Sequence, residues 1–193
     1  MTGTNQMRSV SVQPGSRRLL LIVALTLVAA SAVRAQTGNS LRIVPLVRED
    51  RVLVSFDLQD GFTDEVRAAI KSGLKTTFTY SIDLRLDVPG WVDRTIGTST
   101  IGASVEYDNL TRRYTVSRVI DGHVEDTKVT EDERVAREYL TSLAHAPLFR
   151  TSVLEANRDY YIRIRATARP SNGSILWPFG SGTSAMAKFT FVR

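Results

Sequence analysis

The chain has 193 residues, 42% of them apolar, no cysteine and a formal charge of +5. The absent cysteines exclude disulfides, thiolate metal sites and cysteine nucleophiles. Four of the surplus positive charges are Arg8, Arg17, Arg18 and Arg34, in a stretch without a single acid. The remaining 21 basic residues face 20 acidic ones, so the high overall charge is weak evidence for a nucleic-acid partner.

Those four arginines belong to an export pattern. Arg17-Arg18 precede LLLIVALTLVAASA, residues 19–32, and small residues stand near Val33-Arg34-Ala35. A basic pair, an apolar core and small residues predict a secretory signal over residues 1–35, cut after Ala35. Ala30-Ser31-Ala32 offers a second cleavage site, and the arginine pair faintly resembles a twin-arginine signal. The fourteen-residue core is short for a membrane span, which takes about 17 to 25 residues. An uncleaved N-terminal anchor facing outward is the alternative, and only then does the chain meet a membrane. Cleavage leaves residues 36–193 as one β-rich domain, long enough to bury a core without bridges.

In chain order, residues 41–47 predict a first strand, with Pro45 favouring an edge or bulge. After a charged turn, Val52, Val54, Phe56 and Leu58 alternate, which suggests a hairpin. Thr63 can cap a short helix with Asp64 and Glu65 in its first turn and Gly73 at its stop. Residues 78–88, FTYSIDLRLDV, then alternate apolar and polar over eleven positions. This period of two predicts a central antiparallel strand with one face on the core and one toward water. Pro89-Gly90 ends it, and Trp91 reads as a plug over the end of the sheets.

Residues 95–107 predict a less regular strand, in which Gly97 and Gly102 mark a bulge or a close backbone approach. Asp108 to Thr111 turns into RRYTVSRVI, with Tyr114 and Val116 inward, and Asp121-Gly122 is a strong hairpin signal. Thr130 and Glu133 form a capping box for a second helix. Val135, Ala136, Tyr139, Leu143 and Ala144 are its apolar stripe, and Pro147 its end. Leu148, Phe149, Val153 and Leu154 seal it against the sheet. In DYYIRIRATAR, Ile162, Ile164, Ala166 and Ala168 alternate with charged or polar residues, and AMAKFTFVR closes the chain as a last strand. Seven or eight strands and two short helices predict a mainly β, antiparallel, sandwich-like fold with immunoglobulin-like layers.

These segments resemble a bacterial exported family catalogued only as domain of unknown function 4390. The similar features are the helix running into Gly73-Leu74 and the long strand, and Trp91 after it. YDNLTRRY from Tyr107 to Tyr114 and the tyrosine-led strand at residues 161–165 are similar too. Members end in a tryptophan-bearing segment, whereas here Trp177 precedes a last strand holding Phe189 and Phe191. The resemblance implies export and a β-rich fold. It implies no activity, cofactor or catalytic residue.

The residues themselves name no catalytic, cofactor or metal site. His123 after a hairpin turn and His145 at a helix end read as a solvated residue and a helix-terminal charge partner. Tyr80, Tyr107, Tyr114, Tyr139 and Tyr161 read as core or rim packing. Asn109 and Asn172 match the glycosylation pattern, which acts only where a host has the machinery. Arg112, Arg113 and Arg118, with Arg163, Arg165 and Arg169, could line a sheet face and bind an anion. Interleaved with Asp83, Asp87 and Glu106, they read first as a solvated face. Residues 170–184 are a long loop carrying Ile175, Leu176, Trp177 and Phe179, aromatic and aliphatic contacts suited to a partner. Together these features predict a non-catalytic envelope domain that binds another envelope protein, through that loop or a sheet edge. A carrier or sensor of a lipid or small apolar ligand is the alternative, and it needs a cavity between the layers. No nucleic-acid signature accompanies the arginines.

Overall fold

The computed structural model describes residues 41–90, 92–171 and 182–192. All the described elements belong to one compact unit, Gly38–Arg193. The fold is mostly β, in two antiparallel sheets arranged as a sandwich. The smaller sheet has the order β1-β2-β7, with β1 at Leu41–Arg48, β2 at Arg51–Leu58 and β7 at Ser142–Arg150. The larger has the order β6-β5-β4-β3-β8-β9. Its strands are β3 Thr76–Leu86, β4 Arg94–Asp108, β5 Arg113–Ile120, β6 His123–Thr130, β8 Arg158–Pro170 and β9 Thr183–Phe191. Helices α1, Asp64–Lys71, and α2, Glu133–Thr141, complete the inner layer beside the small sheet.

The period-two stretch is the centre of the larger sheet. β3 pairs with β4 on one side and β8 on the other, and Phe78, Tyr80, Ile82 and Leu84 are all but inaccessible. Ile101, Ile162 and Ile164 flank them, and β2 sends Val52, Val54 and Phe56 down from the facing layer. The Phe56 and Tyr80 rings meet at 4.4 Å, and the Tyr80 hydroxyl donates to the Leu140 carbonyl at 2.6 Å. That bond joins the central strand to α2 and satisfies a hydroxyl which would be costly to bury alone.

α1 begins as its residues dictate. Thr63 Oγ1 accepts from the Val66 amide, and Asp64 and Glu65 occupy the first turn. At its end Gly73 has φ +83, its N–H donates to the Ile70 carbonyl, and the Leu74 N–H donates to Ala69. This is the Schellman arrangement, which needs a left-handed residue there. Asp121 and Gly122 both have positive φ, as a two-residue type I′ turn requires, and the Asp121 carboxylate accepts from Ser99 Oγ and Thr100 N.

The second half departs from the sequence reading in three places. Among the described residues there are nine strands, the additional one being β7. Thr130 ends β6, and Asp132 is the N-cap of α2, its carboxylate accepting from the Arg134 amide. Thr130 Oγ1 instead accepts from the Asp132 amide, so Glu133 stands at the first helical position and no capping box forms. α2 stops at Thr141, well before Pro147, and Ser142 is already extended. Leu143, Ala146 and Phe149 face Phe56, Val54 and Val52 across a β ladder with two register shifts. Leu148 and Phe149 therefore lie in β7, not on a helix seal, and Val153 is exposed.

The glycines of β4 also divide. Gly97 lies beside the register shift at Leu84/Arg85, and the close neighbour is the Phe149 ring, not a backbone. Gly102 marks neither a bulge nor a close approach. Trp91 lies outside the described residues.

Candidate functional site

Strand parity decides where the arginines go. On β5, Tyr114 and Val116 point inward, and Arg118 shares their face. Its guanidinium lies 4.3 Å from the centre of the Tyr139 ring and donates to the carbonyls of Tyr139 and Ser142. It thus serves the C-terminal end of α2, where free carbonyls favour a cation. It does not join Arg112 and Arg113 on an outer face.

Arg113 pairs with Glu131 at 3.0 Å, and Arg112 is exposed in the β4–β5 turn with φ +56. Arg163 faces Asp83 across the β3–β8 ladder, and its Nη2 donates to Oδ2 at 2.6 Å. Arg165 is exposed, opposite Ser81. Register keeps the two groups apart. Arg113 is level with Asp108 of β4, while Asp83, the partner of Arg163, is level with Thr98. Ten positions along a strand are about 33 Å. These four arginines therefore do not converge on one anion: Arg113 and Arg163 are ion-paired, and Arg112 and Arg165 are exposed.

A tighter constellation joins both helices to the sheet. Glu133 accepts from Arg67 Nε at 2.8 Å and from the Tyr114 hydroxyl at 3.1 Å, and Lys71 Nζ stands 3.2 Å away. The Lys71 ammonium also lies over the rings of Tyr107 and Tyr114, at 4.5 and 4.9 Å. Burial raises the Glu133 carboxyl, but hydrogen bonds from Arg67, Lys71 and Tyr114 outweigh it and hold it below the ordinary glutamate value. With every charge paired, the cluster works as a clamp. Asp93 likewise accepts from the Tyr161 hydroxyl at 2.8 Å, which with the Val88 amide holds its carboxyl low. Sequence reasoning missed both clusters, because their members come from separate elements.

His123 is exposed after its turn, its Nδ1 3.2 Å from the Asp121 carbonyl. His145 is no helix-terminal partner. It sits at a bulge of β7 with φ +52, and its amide donates to Ser55 Oγ. Ile175, Leu176, Trp177, Phe179 and Asn172 lie outside the described residues.

The sheet edges are unequal. β7 is interrupted by Pro147 and two register shifts, β1 contains Pro45, and β9 runs beside β1 without a ladder between them. Among the described residues β6 is the open one: six of its eight residues are exposed, including Val124 at 70% and Val129 at 60%. An uncovered edge strand offers backbone donors and acceptors to an incoming strand.

The family model described as Domain of unknown function (DUF4390) matches residues 36–172. The chain belongs to this family. The match spans β1 to β8 and stops before β9, so it covers the positions of the clamp at Glu133 and of the whole small sheet. No curated protein matches the chain, and no solved structure matches it.

Proposed function

We propose that this member of the DUF4390 family is an exported, non-catalytic envelope domain that works by binding another envelope protein. The observation that carries the reading is the open edge of β6, with Val124 and Val129 beside free backbone groups. Strand addition supplies affinity through main-chain hydrogen bonds and specificity through alternate side chains. Charged Glu125, Asp126 and Lys128 keep that edge from pairing indiscriminately. The filled space between the layers supports binding over carriage of an apolar ligand, since Tyr80, Ile82, Leu84 and Ile164 leave no room at the middle of the core.

The test replaces Val124 and Val129 with lysine and recovers the protein from crosslinked envelopes. Loss of co-purified partners with an unchanged melting temperature is the expected result. Partners retained by that variant, but lost on replacing Trp177 and Phe179 with serine, would move the contact to the loop. N-terminal sequencing of the same material checks export: a new terminus at Gln36 is expected, and an intact Met1 in the cytoplasm would overturn it.

A further inference from the structure

The outer face of the small sheet is built in rows. Arg48 faces Arg51, and Arg51 faces Arg150, so three arginines stand side by side across three strands. Like charges directly opposed on a sheet repel, and a row of them asks for an anion. The turn acids satisfy it poorly. Glu49 and Asp50 lie 3.7 Å from Nε of Arg48 and Arg51, beyond hydrogen-bond length, and among the described residues none forms an ion pair with Arg150. Arg150 also lines a recess of about 340 Å³ with Asp50, Ser152 and Phe191.

The neighbouring outward row, about 7 Å along the strands, is apolar: Leu46 faces Leu53, and Leu53 faces Pro147. Val44 extends it on β1. Val44 and Leu46 are 46% and 44% exposed, on a face that a water-soluble sheet would cover with polar side chains.

We propose that this face docks on an anionic lipid surface. The aliphatic row meets the boundary of the acyl chains, while the arginines bend toward the phosphates with their stems along the apolar surface. Charge favours this occupant, since among the described residues the arginine row has no acid within hydrogen-bond length. With Arg42 opposite Asp57, the face and its turn carry four arginines against three acids. The surplus is small and concentrated at Arg150, so docking needs both rows. This surface is separate from the β6 edge, and its failure would leave that reading untouched.

The chain lacks cysteine, so Leu46→Cys in the full chain accepts a single environment-sensitive fluorophore. Val124→Cys, on the outer face of the other sheet, is the control. The labelled proteins are mixed with vesicles of phosphatidylcholine, alone or with an equal part of phosphatidylglycerol. The expected result is a blue shift at position 46 with the anionic vesicles only, reversed by added salt. Arg51→Ser with Arg150→Ser should weaken it about tenfold or more at an unchanged melting temperature. The salt titration on the otherwise unaltered chain keeps the test decisive should that variant not fold. Four outcomes would overturn the proposal: no shift, an equal shift with neutral vesicles, an equal shift at position 124, or a shift that grows with protein concentration in the absence of lipid. The last would show a second copy covering the face.

Discussion

Arg67 of α1 donates to Glu133 of α2 at 2.8 Å, sixty-six residues away in sequence. Lys71 and Tyr114 complete the clamp, and the Glu133 carboxyl is held below its ordinary value. A carboxyl depressed in the folded state contributes stability above its unfolded value, lost as the pH falls through the folded one. Glu133→Gln should therefore be destabilised by a constant amount from about pH 7 to about pH 5. The difference from the unaltered chain should shrink as the pH falls below the ordinary value of 4.5. Urea titrations at several pH values measure it. A difference that persists undiminished in acid would show that Glu133 acts by shape alone.

The clamp could not be read from sequence, since it depends on two helices meeting over β4 and β5. The elements with clean periods could. Phe78, Tyr80, Ile82 and Leu84 identified the central strand, and Thr63 with Gly73 framed α1, because a single local cause decides each. β7 was hidden by its own irregularity. Its buried residues Leu143, Ala146 and Phe149 fall three apart, since one register shift lies between each successive pair of the inward residues Val52, Val54 and Phe56 of β2. A strand with an extra residue between successive inward positions has the spacing of a helix. Arg118 was legible by parity with Tyr114 and Val116, but its charge suggested the outer face. The row of Arg48, Arg51 and Arg150 needed the pairing of β7 before it could appear.

Tyr80 and Ile82 separate the two ways in which β3 holds the fold. Ile82 is fully buried, and Ile82→Ala leaves a cavity worth about 2–5 kcal/mol. Tyr80→Phe keeps the ring against Phe56 and removes only the bond to Leu140, at about 1–3 kcal/mol. Burial pushes the Tyr80 phenol up, so it remains a donor throughout the accessible pH range. Denaturant titrations giving Tyr80→Phe the larger loss would mean that the bond to α2 outweighs core packing.

Gly73 tests the end of α1. A side chain there meets φ +83 and would place its Cβ 3.3 Å from Asn109 Nδ2. Gly73→Ala should lower stability by about 1 kcal/mol, from the left-handed backbone alone. Gly73→Asn should lose less, because asparagine tolerates that conformation. Equal melting temperatures for all three proteins would place the helix stop elsewhere.

Gly97 and Gly102 lie on the same strand and should respond with opposite signs. A Cβ on Gly97 would stand 3.0 Å from Cδ1 of Phe149, whose ring is buried and faces Val52 across the small sheet. Held on both sides, the ring cannot withdraw without disturbing β7, and Gly97→Ala should cost about 1–3 kcal/mol. Gly102 has nothing within 4 Å of the added carbon and no positive φ. There alanine restricts the unfolded chain at no steric expense, and Gly102→Ala should stabilise by about 0.4–1 kcal/mol. Thermal melts of the two variants make the comparison, and Phe149→Leu in the Gly97→Ala background identifies the cause. If the smaller side chain recovers part of the loss, the clash with Phe149 is what reserves position 97 for glycine. If the two changes merely add, the glycine is needed for the bulge beside it, where Leu84 and Arg85 shift register.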